Sequence, residues 1–371
     1  MSITDPVVTR VTAGRRGGAP VLAYRDERYT DEVARATQPV WEKIHGLISD
    51  VDWLLKAPLV HEINRLKKER RALILAHNYQ TPDIYYGVAD YVGDSLELAR
   101  RAAALGPDEA PIVVMCGVHF MAETVKVLAP DRTVLIPDKE AGCSLAESIT
   151  GADVRLLKER YPGAPVVSYV NTSAEVKAES DYCCTSSNAA RIVEEAARSF
   201  SSERVIFLPD HYLAANVAQQ TKIKIIAWHG TCIVHERFTP EHIRTLRAQF
   251  PGVRVLAHPE APPEVCAEAD FVGSTSKMIA DVQSAHAAKV LMVTECAMAD
   301  NVAAENPGVD FVRPCVLCPY MQKITLPRIL DSLRTLSPRV EVPAALIPRA
   351  RRAIERMLAV SQPPPLKSLR A

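Results

Sequence analysis

The sequence has no excess of either charge: 44 Lys and Arg stand against 44 Asp and Glu among 371 residues. That balance argues against a broad nucleic-acid or membrane-surface partner, although it leaves room for a local basic patch. No apolar run approaches the roughly 18 residues of a membrane-spanning helix. The opening Met1-Ser2-Ile3-Thr4-Asp5 begins no signal-peptide pattern, so the expected location is the cytoplasm. Thiols there are mostly reduced, and the odd count of nine cysteines gives no reason to expect a disulfide framework. The local cysteine pairs of a closed structural zinc site are also lacking, since only Cys315-Val316-Leu317-Cys318 has CxxC spacing.

What is present is a globular composition, 48% apolar, long enough for two or three ordinary domains. Residues 1–20 are expected to fray. Residues 30–70 read as amphipathic helix, closing in the charged run Arg65 to Arg70, which is expected to be a solvated face. From Arg71 to about Leu330, short apolar runs alternate with helical stretches, the pattern of βαβ units with parallel sheets. Residues 343–361 read as one more helix, ended by Gln362-Pro363-Pro364-Pro365. The division expected is an N-terminal extension 1–65, three α/β units at 66–150, 151–238 and 239–330, and a C-terminal helix and tail at 331–371.

The units repeat. Three buried-strand candidates end in polar triplets: His77-Asn78-Tyr79, Tyr169-Val170-Asn171 and His258-Pro259-Glu260. A hydroxyl cluster opening a helix follows each, at Ser95, Ser186 and Thr275, and then a cysteine, at Cys143, Cys232 and Cys318. Triplet to hydroxyl is 18, 17 and 17 residues (95−77, 186−169, 275−258), and hydroxyl to cysteine is 48, 46 and 43 (143−95, 232−186, 318−275). A repeat that only stacked layers would account for the strands and helices. It would not account for polar residues at the carboxyl ends of buried strands, where α/β folds place ligands.

Three thiolates from three units make a three-coordinate site. Held by three cysteines, an iron–sulfur cubane keeps one iron open, and an open iron is a Lewis acid suited to removing a hydroxyl. Zinc is the rival metal. The offset selects Cys318 over Cys315, while Cys116, Cys183, Cys184, Cys266 and Cys296 have no repeat partner and read as buried or incidental thiols. Ser95, Ser186 and Thr275 could simply cap helices, but helix starts also attract anions, and three around one cavity would suit a polycarboxylate or a phosphate. His77, Tyr79, Tyr169, Asn171, His258 and Glu260 offer acids, bases and donors, and His235 lies three residues beyond Cys232.

Read together, Ala76-His77-Asn78-Tyr79-Gln80, Val92-Gly93-Asp94-Ser95, Phe120-Met121-Ala122-Glu123-Thr124, Ser168-Tyr169-Val170-Asn171-Thr172, Cys184-Thr185-Ser186-Ser187-Asn188, Cys232-Ile233-Val234-His235, His258-Pro259-Glu260 and Val272-Gly273-Ser274-Thr275-Ser276 resemble the quinolinate synthase family. The resemblance runs collinearly from about Lys67 to Arg356. It implies an α/β fold of three α/β/α sandwich units with parallel sheets, related by a pseudo-threefold axis around a central active site. It implies a transferase of NAD biosynthesis that condenses iminosuccinate with dihydroxyacetone phosphate, giving quinolinate, phosphate and water.

The resemblance also implies a [4Fe–4S] cluster on Cys143, Cys232 and Cys318. Implied iminosuccinate contacts are His77, Ser95, Tyr169, Val170, Asn171, Ser186, His258, Pro259, Glu260 and Thr275. Tyr79, Glu260 and His235 are the implied acid/base residues, with His77 a further catalytic candidate. Some members carry CxxCxxC at the last cluster position and can form a disulfide there. Val312 stands at the first of those positions here, so Cys315 is expected to lack a partner. An L-aspartate oxidase or dehydrogenase could hand over the unstable imine, and a homodimer is plausible on base rates. An aconitase-type hydro-lyase and a non-catalytic iron–sulfur sensor stay open, but a sensor has little need of the polar triplets.

Overall fold

The computed structural model describes residues 28–106 and 109–361. The expected frayed start and the tail from Gln362 lie outside the described residues. Among the described residues, twelve strands form three four-stranded sheets. The first holds β1 (Ala72–His77), β2 (Tyr91–Gly93), β3 (Ile112–Cys116) and β4 (Thr133–Leu135). The second holds β5 (Val166–Tyr169), β6 (Tyr182–Cys184), β7 (Arg204–Leu208) and β8 (Lys224–Ala227). The third holds β9 (Arg254–Ala257), β10 (Phe271–Val272), β11 (Lys289–Val293) and β12 (Asp310–Val312).

The spatial orders are β2-β1-β3-β4, β6-β5-β7-β8 and β10-β9-β11-β12, the same arrangement three times. Every pairing within them is parallel. Strands covered by helices on both faces need apolar side chains in both directions. Accordingly β1 and β3 are buried at every position. The expected α/β architecture of three units is therefore the observed one.

One device starts each sheet. Asp90, Asp181 and Asp270 precede the second strand of their units, and each Oδ2 accepts a backbone N–H of the first strand: Ile74 at 2.9 Å, Val166 at 2.9 Å and Val255 at 2.7 Å. Each aspartate's own N–H returns to the carbonyl of that same residue. An aspartate with two such links, buried at Asp90 and progressively more exposed at Asp181 and Asp270, fixes the strand pair in register.

The stretch 30–70 is two helices, Asp31–Ile44 and Asp50–Glu69. The helix is interrupted over residues 45–49, around Gly46, and Ser49 caps the second helix by accepting the Asp52 N–H at 3.1 Å. Nor is the charged run wholly solvated. Lys67 is buried, donates to the Val88 carbonyl at 2.7 Å and pairs with Asp90 at 3.1 Å. The periodicity shows the helix face but not the carboxylate that draws this lysine inward.

The last described helix, Ile347–Val360, buries Ala350, Ala353, Ile354 and Met357 along one stripe. Arg349 pairs with Glu179 of the second unit at 2.7 Å, and Arg351 donates to the Val127 and Leu128 carbonyls of the first. No described helix is long and apolar enough to cross a membrane.

Candidate active site

The strand ends converge. His77 is the last residue of β1, Tyr169 the last of β5, and His258 follows β9 directly. One cavity is lined by these three together with Tyr79, Asn171, Glu260, Ser95, Ser186, Thr275 and the three cysteines Cys143, Cys232 and Cys318. Among the described residues that line it, none is Lys or Arg. Three sequence-named residues stand outside the lining. Val170 is buried, and its carbonyl accepts from Lys177 Nζ at 2.8 Å. The Pro259 carbonyl accepts from Asn216 at 2.8 Å. His235 lies fully buried behind the wall.

Helix starts supply positive potential where basic side chains are missing. Ser95 opens the helix Ser95–Ala103 and Thr275 opens Thr275–Ala285, while Ser186 lies just before Ala189–Ser199. Neither Ser95 nor Thr275 serves as the cap. Asp94 caps the first helix in a reciprocal pair with Glu97, and Ser274 caps the other. The cavity hydroxyls are thereby released from capping. Thr275 Oγ1 accepts from Asn78 at 2.9 Å, and Ser186 Oγ lies 3.1 Å from His258 Nε2.

The histidines share a tautomer. Tyr79 N–H donates to His77 Nδ1 at 3.2 Å, and Glu260 N–H donates to His258 Nδ1 at 3.4 Å. Each Nδ1 is an acceptor, so in each neutral ring Nε2 carries the proton. Burial pushes the His77 pKa down to about 4 and that of His258 to about 3. Both rings are therefore neutral Nε2–H donors near neutral pH.

Glu260 is the charged partner among them. Burial opposes its ionisation, but the adjacent His258 and His235, with hydrogen bonds from His235 and Tyr169, hold its carboxyl below the usual range. His235 Nδ1 lies 2.8 Å from Glu260 Oε2, and the Tyr169 hydroxyl donates to Oε1. Burial pushes the Tyr79 and Tyr169 phenols well up, so both keep their protons. Asn171 Oδ1 is buried without a hydrogen-bond partner and faces this group as an open acceptor.

The three cysteines have one local geometry. Each follows the last strand of its unit and begins a helical turn: the carbonyls of Cys143, Cys232 and Cys318 accept the N–H four residues on, from Glu147, Glu236 and Gln322. In each turn the N–H groups two and three residues on favour the thiolate: Leu145 and Ala146, Val234 and His235, Tyr320 and Met321. Burial is the larger influence and raises all three thiols, Cys143 to about 12. Three half-buried thiols lining one cavity, with backbone donors turned toward sulfur, are a donor set of the kind that suits a thiophilic cation.

Cys315 does have a partner, which corrects the expectation from its motif. It forms a disulfide with Cys296, 19 residues earlier, with Cα atoms 4.8 Å apart. The reason is tertiary. Cys296 starts the helix Cys296–Glu305, and its N–H donates to the Val316 carbonyl at 3.1 Å, which lays the 315–318 loop across that helix start. Glu295 caps the helix through Ala297 N–H and accepts the Cys318 N–H at 3.3 Å. Of the other cysteines, Cys116, Cys183 and Cys184 are buried, and Cys266 is partly so.

A family model described as Quinolinate synthetase A protein matches residues 61–359. The chain belongs to this family. Relatives match almost end to end. Quinolinate synthase of Sinorhizobium medicae (strain WSM419) is 56% identical over 357 residues, 96% of this chain and 97% of that protein. Quinolinate synthase of Caulobacter vibrioides (strain NA1000 / CB15N) is 55% identical over 337 residues, 91% and 90% of the two chains. That of Agrobacterium fabrum (strain C58 / ATCC 33970) is 52% identical over 337 residues, 91% and 95%.

In this member of the quinolinate synthetase A family, several site residues escape sequence reading. Phe120, Met121, Tyr320 and Met321 line the cavity, and Thr294 lies between Tyr79 and His235. The polar triplets mark first strands of the units. Thr294 directly follows a third strand, where the other two units carry Gly117 and Pro209. No repetition marks it.

Proposed function

We propose that the chain condenses iminosuccinate with dihydroxyacetone phosphate to form quinolinate, with phosphate and water as the other products. Membership of the quinolinate synthetase A family supports the product. The observation that carries the reading is convergence: three strand ends, three hydroxyl-bearing helix starts and three cysteine turns line one cavity.

Cys143, Cys232 and Cys318 would hold a [4Fe–4S] cluster. With three protein ligands it supplies a Lewis acid that helps remove a hydroxyl as water. The chain's own residues do the rest. Substrate carboxylates and phosphate are received by the helix starts at Ser95, Ser186 and Thr275, because no Lys or Arg among the described residues lines the cavity. Neutral His77 and His258 offer Nε2–H to substrate oxygens without adding charge. Asn171 Oδ1 accepts a substrate N–H or O–H. Glu260, held as carboxylate, removes protons, and Tyr79, held as phenol, returns them. Val170 and Pro259 act through the backbone of the two strand-end loops. The imine hydrolyses in water, so handover from an L-aspartate oxidase or dehydrogenase in the cytoplasm belongs to the same reading.

The test is anaerobic purification, iron and sulfide analysis, and a quinolinate assay with both substrates. Brown protein that forms quinolinate only when dihydroxyacetone phosphate is present is expected. A colourless, iron-free and fully active protein would overturn the cluster. Hydration or dehydration of other small acids without quinolinate formation would overturn the reaction.

A further inference from the structure

Thr294 is 2% exposed and follows β11 directly. Its Oγ1 lies 2.7 Å from the Tyr79 hydroxyl and 3.0 Å from His235 Nε2. Both partners are side chains of the site. They come from different units, Tyr79 beyond β1 and His235 beyond β8.

The hydrogens can be placed. His235 Nδ1 faces the Glu260 carboxylate at 2.8 Å and Cys232 Sγ at 3.2 Å. A nitrogen facing a carboxylate carries the proton, and in that Nδ1–H tautomer Nε2 is the acceptor. The one O–H of Thr294 therefore donates to His235 Nε2. Its lone pair receives the O–H of Tyr79. A single hydroxyl thus sets two directions: where the Tyr79 proton points, and which way the His235 ring presents Nδ1–H to Glu260.

The repeat makes this position unusual. Gly117, Pro209 and Thr294 each follow the third strand of their unit. Glycine offers no hydroxyl, and a Cβ at Gly117 would press on the tips of Met115 and Met121, at 2.7 and 2.8 Å. Proline offers no hydroxyl. The near-symmetry of the three units is broken at the one strand end that faces both Tyr79 and His235.

We propose that Thr294 is a positioning residue for the reaction, fixing the hydrogen-bond direction of Tyr79 and the tautomer and ring orientation of His235 across the junction of the three units. The kinetic half of this inference rests on the proposed function. The structural half does not.

The experiment compares Thr294→Val, which keeps the shape and removes the hydroxyl, with Thr294→Ser, which keeps the hydroxyl. In cluster-containing protein, Thr294→Val is expected to lower kcat about 10- to 100-fold, with KM for dihydroxyacetone phosphate within about twofold. Thr294→Ser should stay within about threefold of the parent. A Thr294→Val enzyme at parental kcat, or a Thr294→Ser enzyme as slow as Thr294→Val, would overturn the proposal. Crystal structures of the variants give an arm independent of turnover. Displacement of the Tyr79 hydroxyl or rotation of His235 in Thr294→Val, reversed in Thr294→Ser, is expected. Both rings unmoved in Thr294→Val would overturn it. If Thr294→Val does not fold, Thr294→Ala replaces it in both arms. If the parent makes no quinolinate, the proposed function falls and the crystal structures decide this inference alone.

Discussion

His77 and His258 stand at equivalent strand ends, and each accepts at Nδ1 the backbone N–H of the residue two places ahead, at 3.2 and 3.4 Å. The repeat has copied a tautomer along with a side chain. Two buried rings are fixed as neutral Nε2–H donors aimed into one cavity.

This predicts a pH dependence of stability. Burial lowers His77 to about 4 and His258 to about 3 in the folded chain, against an ordinary 6.5. Below pH 6.5 the unfolded chain therefore binds protons at these rings and the folded chain does not. Stability should fall as pH drops from about 6.5 toward 4, by up to about 1.4 kcal/mol per pH unit for each ring. Thermal melting between pH 7 and 4.5 checks this, with His77→Gln expected to flatten the slope. A parental melting temperature constant over that range would refute it.

The three cysteine turns predict a sharp division among thiols. Alanine at Cys143, Cys232 or Cys318 should abolish bound iron and lower activity by at least about 100-fold. Alanine at Cys266, partly buried and outside the cavity lining, should leave both unchanged. Iron and sulfide analysis of anaerobically purified variants decides. A Cys232→Ala protein with full iron content and activity would remove that residue from the ligand set.

The Cys296–Cys315 disulfide predicts a thiol count. Denatured, cluster-free protein labelled without reductant should expose seven thiols, and nine after reduction. With a separation of 19 residues, the link should stabilise the oxidised chain by about 3 kcal/mol relative to Cys296→Ser. Peptide mapping and denaturant unfolding measure the two. Nine thiols labelled without reductant would show the bond absent.

Lys177 predicts a coupling between core and site. It is fully buried, and its Nζ donates to the Val170 carbonyl at 2.8 Å and to that of Thr172, on either side of Asn171. Lys177→Met removes the ammonium donor from both carbonyls inside the protein, leaving the Val170 carbonyl with only the Thr172 N–H at 2.8 Å. A loss of about 2–4 kcal/mol is expected, with KM for substrate raised several-fold as the Asn171 loop relaxes. Denaturant unfolding and steady-state kinetics test it. Parental stability would show that the buried ammonium does not organise the loop.

The three-unit fold was legible because it recurs locally. Apolar runs, polar triplets, helix-opening hydroxyls and cysteines return at near-constant intervals, so order alone separates Cys143, Cys232 and Cys318 from the other six. The Asp90, Asp181 and Asp270 clamps were equally available to such a search, being 16, 15 and 15 residues from the strand residues they hold. The break between the first two helices was less so, because a short interruption barely disturbs a helical period.

The sequence by itself determined the α/β class, the repeated unit, and the side chains delivered at each strand end, because each follows from spacings within one unit of chain. Only the tertiary structure decided which of these meet. Thr294 reaches Tyr79 across 215 residues, Glu260 pairs with Tyr169 across 91, and Cys296 captures the thiol that its motif had left alone. Proton direction at Tyr79 and His235, burial of Lys67 and release of Ser95 and Thr275 from capping are contacts between distant segments. Spacing along the chain does not encode them, because hydrogen-bond partners and dielectric surroundings exist only once the three sheets have packed around their common cavity.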